Sequence, residues 1–571
     1  MAERDSAALR TSCPQGCGAK CAEKIWRGGK LVLSLRRKLQ PSTVNNRNMG
    51  TYINLGNAGF QRARKGEYVD KSGLIAIIND TLSSEREFSC VTRCRRFGKS
   101  MAAKMLCAYY DHSCDSRSLF ADLEIAQHPT FEEHLNKYPV IYLDMTNFAG
   151  GPKRDDIVDV IQAAVKADVV EAFPEVPVGD DLDLMASLIK IHDATGRTFF
   201  FIIDEWDAIC REYPVGAPAM DNYVNWLRRM FKSVNGSIIF AGVYMTGILP
   251  IKKFRTESAL NNFREYSMVT PRQLAPYFGF TKDEVRALAA KHGMDFDDLE
   301  KWYDGYQIGD QPSMFNPNSV IQAVDIGHCR SFWAQTGAYD TVANYISMNF
   351  DGLKDDVIRM LAGERVSVDP AGFQNDMAII ETRDDVLTVL IHLGYLGYDW
   401  REEECYIPNR EVRDEMVRAV RSVKWQTVYN AIEQSHRLLR ATLEGDAEAV
   451  ARGVEAVHDD STSILSYNDE NSLACVISLA FYYARNDYII HREYASGKGF
   501  ADIVLIPRKN VDSPAVVIEL KVNRDADSAL DQIRRKQYPA KVAEYADRLL
   551  LVGINYDRET KQHNCRIERH N

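Results

Sequence analysis

Two apolar runs, about a hundred residues apart, each end in a short polar motif. The first run, Phe88–Thr92, leads through a basic loop into Gly98–Ser100, and the second, Phe199–Ile203, ends in the acidic pair Asp204–Glu205. A loop of the first kind can surround phosphates with backbone amides, while its lysine reaches the terminal phosphates and its serine binds Mg²⁺. The chain is therefore expected to bring both motifs to one edge of one sheet.

The sequence around these motifs alternates between strand-like runs and longer amphipathic stretches, from Tyr68 to about Gly247. Such alternation is typical of a parallel sheet with helices on both faces. We predict an α/β fold for residues 49–272, a P-loop NTPase parallel sheet with helices. Its expected strands are Phe88–Thr92, Val140–Leu143, Thr198–Ile203 and Ser237–Tyr244.

The acidic pair and a further strand complete a predicted nucleotide site. Asp204 would enter the magnesium shell, and Glu205 would orient or activate the attacking water. Thr246 follows the last strand, at a position where ATPases of this type place a polar residue that senses the γ-phosphate. Of the predicted ligands, Ser100 and Asp204 would bind the metal. The residues predicted to bind ATP and Mg²⁺ are Arg96, Gly98, Lys99, Ser100, Asp204 and Thr246, with Glu205 as a catalytic residue.

Two simpler interpretations remain open for these motifs. Gly-Lys-Ser after a strand also arises by chance, and Arg93 replaces the first glycine of the usual phosphate-loop pattern. The two acids could instead cap the next helix. Neither interpretation explains why both motifs occur in the correct order and at the correct separation.

The pattern becomes mostly helical between residues 273 and 462. The helical candidates are Lys282–His292, Val412–Leu439 and Ala447–Val457, and short strand candidates lie around Tyr395 and Tyr406. We call residues 273–462 the middle region. We predict that a small α/β domain, similar to restriction endonucleases, follows it over residues 463–571.

This C-terminal part contains a helix-like stretch, three strand-like runs, a charged helix and a last strand, Arg548–Val552. Asp502 lies at the head of one apolar run, and Glu519 and Lys521 lie on the next run, Ala515–Val522. Because side chains alternate along a strand, Glu519 and Lys521 point to the same face. Charges on a central strand are costly unless they are paired or used.

Metal-dependent cleavage of a phosphodiester needs carboxylates for Mg²⁺, a water activated by the metal and a cation near the developing charge. Asp502, Glu519 and Lys521 supply such groups, and Glu470 opens the helix-like stretch upstream. Gln532 lies in the charged helix downstream. An isolated Glu-x-Lys pair would be interpreted as a surface pair on an edge strand. The order of all four elements is more specific and predicts a nuclease site.

Motifs along nearly the whole chain after residue 50 resemble a bacterial family of AAA-ATPase-like proteins with a C-terminal PD-(D/E)xK nuclease domain. The motifs are Tyr68–Ser72, Arg95–Ser100, Ile203–Asp207, Trp302–Tyr306, Phe315–Ser319 and Leu393–Tyr395. A loop without the first glycine is usual in this family, so the resemblance implies that Arg93 is compatible with nucleotide binding. Cys94 departs from the family, where proline is commoner.

The resemblance also implies roles in the C-terminal domain. Asp502 and Glu519 would be metal ligands, Lys521 would be the cation that stabilises the transition state, and Glu470 would be an auxiliary acid of the metal shell. Gln532 and Tyr538 resemble a helix motif that supports such sites.

The composition limits the compartment and the partners. A formal net charge of −10 argues against coating of nucleic acid through global electrostatics but allows a local basic groove. The sequence has no apolar run of about 18 residues for a bilayer and no secretory signal, so we expect a cytoplasmic protein without a membrane partner. Residues 1–48 are expected to be a disordered extension rather than a metal site, although they contain Cys13, Cys17 and Cys21.

The leading hypothesis is an ATP-binding protein and ATPase whose Mg²⁺-dependent nuclease domain acts on nucleic acid, with DNA as the expected substrate. The alternative is a nucleotide-dependent switch or scaffold whose C-terminal domain binds nucleic acid without cleaving it. A nucleic-acid motor is less favoured, because the sequence has no helicase-like motif set and no clear arginine finger, for which Arg255 and Arg264 are candidates. An ATPase of this type can need a neighbouring subunit, which leaves a homo-oligomer open.

Overall fold

The computed structural model describes most of the chain after residue 49. The described residues are 50–214, 216–251, 260–333, 338–373, 380–423, 425–461, 477–496, 499–508, 511–535 and 545–570. Predictions for the N-terminal cysteines, Arg255, Glu470 and Tyr538 lie outside these ranges. Among the described residues, no helix combines the length and the apolarity that a bilayer crossing demands.

The first sheet has five parallel strands in the order β2-β3-β4-β1-β5. They are β1 Phe88–Thr92, β2 Val140–Asp144, β3 Phe199–Asp204, β4 Phe240–Gly247 and β5 Arg264–Tyr266. The helices around them are α1 Ala58–Ala63, α2 Gly73–Asn79, α3 Lys99–Tyr110, α4 Arg117–Phe120, α5 Phe131–His134, α6 Thr146–Ala149, α7 Ile157–Ala172, α8 Leu184–Thr195, α9 Ala208–Glu212, α10 Pro218–Phe231 and α11 Gly236–Ile239. The predicted parallel α/β sheet is confirmed.

Both faces of this sheet are covered, which explains why its strands are almost continuously apolar. Phe200 and Ile202 of β3 pack in one core with Leu106 of α3. Phe201 and Ile203 point to the opposite face and pack in a second core, on the side of α7 and α8. β1, β3 and β4 are buried along their whole length, so only their ends are available for polar chemistry.

The middle region combines helices with two small antiparallel sheets. Its helices are α12 Lys282–His292, α13 Phe296–Tyr303, α14 Pro317–Ile326, α15 Ala338–Ile346, α16 Leu353–Leu361, α17 Arg383–Leu393, α18 Arg410–Ser422, α19 Gln426–Glu444 and α20 Ala447–Ser461. Its strands are β6 Phe280–Thr281, β7 Tyr306–Ile308, β8 Gln311–Phe315, β9 Val366–Ser367, β10 Gly397–Asp399 and β11 Glu404–Tyr406. The sheets have the orders β6-β8-β7 and β10-β11-β9.

Two predictions for this part of the chain are corrected by the structure. The stretch Val412–Leu439 is not one helix, because α18 ends at Ser422 and α19 begins at Gln426. Tyr395 is not in a strand, because α17 closes on Gly394 and the strand begins two residues later, at Gly397.

The C-terminal sheet has five strands in the order β12-β13-β14-β15-β16. They are β12 Tyr488–Ser496, β13 Gly499–Pro507, β14 Ala515–Val522, β15 Leu549–Tyr556 and β16 His563–His570. Only β14 and β15 are parallel, and helix α21 (Ala526–Arg535) lies between them in the sequence. The predicted last strand is therefore followed by one more strand, β16.

The two faces of the C-terminal sheet have different neighbours. Val504, Val517 and Leu551 pack in a small core with Leu530 of α21. The alternate residues, such as Ile503 and Ile518, belong to a large core that they share with the middle region. Asp502 lies two residues before Val504, and Glu519 and Lys521 lie two and four residues after Val517. Because residues two apart on a strand share a face, all three side chains project from the face that α21 covers.

Candidate nucleotide and nuclease sites

The loop between β1 and α3 has the backbone form that a phosphate-binding turn requires. Gly98 precedes the first residue of α3 and has a φ angle of 89°, in the left-handed region that favours glycine. A Cβ atom at Gly98 would meet nothing within 4 Å, so the requirement is conformational rather than steric. Arg96 also has a positive φ angle, of 71°. The turn thus brings backbone amides to the start of α3, where an anion is stabilised.

Lys99 lies folded against this loop. Its Nζ atom donates to the carbonyl oxygens of Arg93, at 3.0 Å, and Cys94, at 3.2 Å. The same atom lies 3.5 Å from Oε1 of Glu205. Lys99 is 5% exposed, so its charge is held by the loop and by the acidic pair rather than by solvent. The predicted phosphate-binding lysine and the predicted catalytic acid are therefore in direct contact.

Arg93, which replaces the first glycine of the pattern, points away from the phosphate turn. It is fully buried, and its Nη1 atom donates to the carbonyl oxygens of Thr92, at 2.9 Å, and Tyr266, at 2.7 Å. Its guanidinium carbon lies 5.5 Å from the centre of the Phe278 ring. Burial lowers the pKa of Arg93 to about 10. The side chain thus ties the end of β1 to β5 and leaves the turn itself unobstructed.

Asp204 ends β3 next to Thr246, on the neighbouring strand β4. The Thr246 hydroxyl donates to Oδ1 of Asp204, and the Tyr142 hydroxyl donates to Oδ2 at 3.2 Å. Burial raises the pKa of the Asp204 carboxyl above its ordinary value, and hydrogen bonds from Thr246 and Ser100 oppose that rise. Ser100, Asp204 and Thr246 thus lie together, and these oxygen groups suit a hard cation such as Mg²⁺. No sequence signal marks Tyr142 as a site residue, because it has the pattern of a core residue.

Glu205 is held by its backbone and by a cation. It has a φ angle of 53°, and its backbone N–H donates to Oγ1 of Thr246 at 3.3 Å. Its Oε2 accepts a hydrogen bond from Arg211 at 2.6 Å. Arg211 also donates to Oδ2 of the buried Asp207, at 3.0 Å. The carboxylate of Glu205 therefore bridges Lys99 and Arg211 at the edge of the phosphate turn.

A cavity of about 390 Å³ opens beside Lys99 and Ser100. Its size falls within the range of sites that hold small ligands, about 300–1,000 Å³. Arg96 lines it and also donates to the Phe332 carbonyl oxygen at 3.4 Å. Residues that the sequence did not assign to the site complete the wall: Tyr68, Lys71, Tyr277, Phe280, Pro317, Asn318 and Ile321.

Part of this wall lies in motifs that the sequence had marked without a chemical role. Tyr68 and Lys71 belong to Tyr68–Ser72, and Lys71 is paired with Glu284 of α12 at 2.7 Å. Asn316, from the motif around Pro317, caps α14 by accepting hydrogen bonds from two backbone amides. These motifs therefore connect the first sheet to the middle region around the cavity.

Two other motifs of the middle region, Trp302–Tyr306 and Leu393–Tyr395, also contact the phosphate loop. The ring of Tyr306 meets the ring of Phe97 edge-on, with 5.1 Å between the centres. The Tyr306 hydroxyl donates to the Gly394 carbonyl oxygen at 2.8 Å. A Cβ atom at Gly394 would lie 2.5 Å from Cβ of Cys94. Close packing at these positions thus fixes Cys94 and Phe97 of the phosphate loop.

Arg264, a candidate arginine finger, lies on the edge strand β5. Its guanidinium carbon is 5.8 Å from the centre of the Tyr266 ring. Strand β5 pairs with β1, so Arg264 belongs to the sheet that carries the phosphate loop.

In the C-terminal sheet, Asp502 and Glu519 are neighbours on adjacent strands. Strands β13 and β14 are antiparallel, with Ile503 opposite Ile518, so the next pair outward is Asp502 and Glu519. Residues directly opposite each other on one face have Cβ atoms about 5 Å apart. Oδ2 of Asp502 accepts a hydrogen bond from the Leu520 amide at 2.5 Å. The two predicted metal ligands are thus side by side.

Lys521 and Gln532 both contact Glu519, which is 1% exposed. Nζ of Lys521 donates to Oε1 of Glu519 at 3.0 Å, and the Gln532 amide donates to the same oxygen. Gly553 explains how α21 comes near enough to carry Gln532 there, because a Cβ atom at Gly553 would lie 2.4 Å from the Ala526 carbonyl oxygen. The predicted support of the site by Gln532 has a direct structural counterpart.

The donor set fits one divalent cation of the magnesium type. Asp502 and Glu519 provide carboxylates, and Mg²⁺ is commonly held by one or two carboxylates together with water and substrate phosphates. The described residues contain no group of three or more His, Cys, Asp or Glu that could hold a metal. Within the part of the chain that the structure describes, Asp502 and Glu519 would hold such a cation, together with water and substrate phosphates.

Comparison with known protein families finds two separate matches along the chain. Residues 55–255 match a family described as AAA-ATPase-like, predicted AAA-ATPase. Residues 468–565 match the PD-(D/E)XK nuclease superfamily. No curated protein matches the chain. Among solved structures, the ORC1 protein of Aeropyrum pernix in complex with DNA is similar at 10% identity, over 64% of this chain and 97% of that chain, with a TM-score of 0.23. A TM-score this low supports no inference about this chain.

Proposed function

Since residues 55–255 belong to the AAA-ATPase-like family and residues 468–565 to the PD-(D/E)XK nuclease superfamily, we propose that the chain is an ATP-hydrolysing nuclease that cleaves DNA. The observation that carries the proposal is the placement of Asp502, Glu519 and Lys521 on one face of the C-terminal sheet. Two carboxylates and a cation at the end of an otherwise apolar face have a high cost of burial, which catalysis would justify.

In the proposed nucleotide site, the backbone turn before α3 binds the phosphates and Lys99 neutralises their charge. Ser100 and Asp204 would hold Mg²⁺, which would supply positive charge to the phosphates. Thr246 orients Asp204 through its hydroxyl, and Glu205 accepts a proton from the attacking water. Lys99 must leave its contacts with the loop carbonyls to reach a phosphate, so nucleotide binding would also release it from Glu205.

In the proposed nuclease site, Asp502 and Glu519 hold the metal. Mg²⁺ supplies Lewis acidity and lowers the pKa of a bound water. Lys521 lies close enough to Glu519 to turn its ammonium group towards a phosphate that binds beside the carboxylates. Gln532 keeps the Glu519 carboxylate in place by donating to Oε1. Removal of either carboxylate should therefore affect catalysis more than binding of the DNA.

One continuous apolar core supports coupling between the two sites. Cys94 and Phe97 of the phosphate loop belong to the same core as Ile503 and Ile518 of the nuclease sheet, through the middle region. A change in the loop on nucleotide binding would act on a packed core, which transmits displacement rather than absorbing it. We therefore propose that nucleotide occupancy changes the rate of cleavage.

The second candidate function is a nucleotide-dependent switch whose C-terminal domain binds nucleic acid without cleaving it. The observation that favours it is the contact of both Lys521 and Gln532 with Oε1 of Glu519, which competes with a metal for that oxygen. The two candidates differ in one respect, the appearance of cleaved product.

The test is a cleavage assay with linear, circular and branched DNA and with RNA, in Mg²⁺ or Mn²⁺, with and without ATP. Wild type is compared with Asp502→Asn and with a matched control, Asp512→Asn, which changes an exposed aspartate that pairs with Arg548. We expect cleavage of DNA by wild type and by the control, and none by Asp502→Asn. Nucleotide binding with no cleavage of any substrate by wild type would instead support the switch.

A further inference from the structure

A second cavity, of about 290 Å³, lies between the middle region and the C-terminal sheet. Five basic side chains line it: Lys301, Arg410, Arg413, Arg485 and Arg508. Lys301 comes from α13, Arg410 and Arg413 from α18, and Arg508 from the residue after β13. None of these residues lines the cavity beside the phosphate loop.

The acids that line the same cavity are engaged elsewhere. Glu300 pairs with Lys282, and Asp304 accepts hydrogen bonds from the Ser313 hydroxyl, at 2.7 and 2.8 Å. Among the described residues, no carboxylate lies within 4 Å of the charged nitrogens of the lysine on α13, the two arginines on α18 or Arg508. The five cations therefore outnumber the two acids that line the cavity, Glu300 and Asp304.

The basic side chains are held in place by rings and backbone carbonyls. The guanidinium carbon of Arg410 lies 4.2 Å from the centre of the Trp302 ring. Arg413 lies over Tyr482 at 5.6 Å. Lys301 donates to the carbonyl oxygen of Asn486. These contacts fix the directions of the charged groups before any ligand arrives, which reduces the entropy cost of binding.

Gly363 shows how closely the cavity wall fits one of these cations. It has a φ angle of 90°, and a Cβ atom there would lie 2.3 Å from Nη2 of Arg485. Arg485 donates to the carbonyl oxygen of the preceding residue, Ala362. Glycine is therefore needed both for the backbone conformation and for the approach of the guanidinium group.

The charges of these side chains lower one another's pKa values, and three of the arginines keep hydrogen-bond donors that are not used. Burial, together with the charges of Arg410 and Arg508, lowers the pKa of Lys301 to about 8, although the charges of Asp487 and Asp298 oppose that shift. Burial and the charges of Arg413 and Arg410 likewise lower the pKa of Arg508. The Nε atoms of Arg410, Arg413 and Arg508 are buried and make no hydrogen bond in the described residues. Buried donors of this kind normally have a partner.

We propose that this cavity is a binding site for a phosphate-bearing anion, separate from the nucleotide site. Arginine forks match the oxygens of phosphate through two parallel hydrogen bonds, and several arginines around one cavity suit a group with more than one negative charge. The volume suits one or two phosphate groups rather than a duplex. Two sources share this chemistry, a free nucleotide or pyrophosphate and the phosphates of a nucleic-acid strand.

The location gives the site a role beyond the two reactions proposed above. Arg508 follows the end of β13, the strand that carries Asp502 near its start. Arg508 lies six residues after Asp502, and six extended residues span about 20 Å at about 3.3 Å per residue. An anion bound at Arg508 would join α18 of the middle region to the nuclease sheet, at the end of β13 away from the carboxylates.

The test is calorimetric titration of the full chain carrying Lys99→Ala, which weakens phosphate binding at the loop. One arm uses inorganic pyrophosphate, and the other uses a short single-stranded oligonucleotide with a 5′ phosphate. Arg410→Gln is added to remove one cation. The matched control is Arg401→Gln, because Arg401 also lies over a tryptophan ring, that of Trp400 at 5.4 Å, but outside the cavity.

We expect binding in at least one arm, weakened about tenfold or more by Arg410→Gln and unchanged by Arg401→Gln. Binding of pyrophosphate would identify a free anion as the ligand, and binding of the oligonucleotide alone would identify a strand. If Arg410→Gln does not fold, Lys301→Met is used with the same expectation. The proposal is overturned if neither probe binds to the Lys99→Ala chain, or if removal of a cavity cation leaves affinity unchanged.

Discussion

The hydroxyl of Thr246 donates a hydrogen bond to Oδ1 of Asp204, between the ends of two adjacent strands. Strand β4, which carries Thr246, lies between β3 and the strand that leads to the phosphate loop. The threonine also accepts a hydrogen bond from the backbone amide of Glu205. The Thr246 side chain therefore positions both acids of the proposed ATPase site.

This relationship predicts different effects of two substitutions at Thr246. Thr246→Val keeps the shape of the side chain but removes the donor to Asp204, whereas Thr246→Ser keeps the hydroxyl. We expect Thr246→Val to lower the rate of ATP hydrolysis by about 10- to 100-fold, the range for loss of a residue that orients a metal ligand. Steady-state ATP hydrolysis measures it. Equal rates for the valine and serine variants would contradict the role of the hydroxyl.

Glu205 and Lys99 should separate hydrolysis from binding. Glu205→Gln keeps an oxygen for Arg211 but removes the proton acceptor, so we expect ATP hydrolysis to fall by about 10²- to 10⁴-fold with nucleotide still bound. Lys99→Ala should weaken nucleotide binding itself, because Lys99 is the one lysine in the loop sequence from Arg93 to Ser100. Fluorescent-nucleotide titration and a hydrolysis assay on both variants check this. Loss of binding in Glu205→Gln would argue against the assignment.

The packing of Gly394 against the phosphate loop gives a third prediction. Gly394→Ala forces a Cβ atom against Cys94 and also strains a φ angle of 88°. Gly445 closes α19 with a φ angle of 82° and has nothing within 4 Å of an added Cβ, so Gly445→Ala measures the backbone strain alone. We expect Gly394→Ala to destabilise the protein by about 1–3 kcal/mol more than the control and to weaken ATP binding.

Thermal unfolding with and without ATP measures both effects of this pair of variants. The contact with Cys94 would be unimportant if Gly394→Ala and Gly445→Ala lowered the melting temperature equally and bound ATP equally.

Glu411 predicts a dependence of stability on pH. Burial raises its pKa to about 7, although hydrogen bonds from Phe332 and Ser319 and the charge of Arg96 oppose the rise. Because the folded pKa is above the unfolded value, the stability that the protonated carboxyl supplies is fully present below about pH 4.5 and is lost as the pH rises through about 7. At about 1.4 kcal/mol per pKa unit, the loss is up to about 3 kcal/mol.

The isosteric variant Glu411→Gln removes this titration and can still bond to Phe332 and Ser319. We expect it to raise the melting temperature relative to wild type at pH 8 and to leave it nearly unchanged at pH 5. If the melting temperatures of Glu411→Gln and wild type differed by the same amount at pH 5 and pH 8, the result would contradict a raised pKa at Glu411.

The elements whose bounds were predicted correctly are marked by residues close to them in the sequence. The helix α12 begins and ends where expected, because Thr281 and Glu284 form a capping box and Gly293 closes the last turn. The predicted start of β4 at Ser237 was wrong, because residues 237–239 belong to α11. A short apolar run alone does not distinguish a helical turn from a strand. The strand β16 was missed because its residues are mostly polar, with one edge exposed.

The site was predictable where chemistry follows the ends of strands. The motifs that contain Lys99 and Asp204 were expected at one edge of the sheet because parallel strands end there, and the structure brings Lys99 within 3.5 Å of Glu205, the second acid of that motif. Tyr142 and Lys71 could not be assigned, because their roles depend on neighbours distant in sequence. The inward direction of Arg93 likewise depends on Tyr266, which no local pattern reveals.

The most direct test of the central claim is single-turnover cleavage of end-labelled DNA in Mg²⁺ by wild type and by Lys521→Met. ATP hydrolysis by the same preparations reports whether the variant is folded, since the ATPase site lies on another sheet. We expect wild type to cleave, Lys521→Met to hydrolyse ATP at the wild-type rate, and its cleavage of DNA to be at least about 10²-fold slower. Cleavage by Lys521→Met at the wild-type rate would contradict the role of Lys521 in a nuclease site.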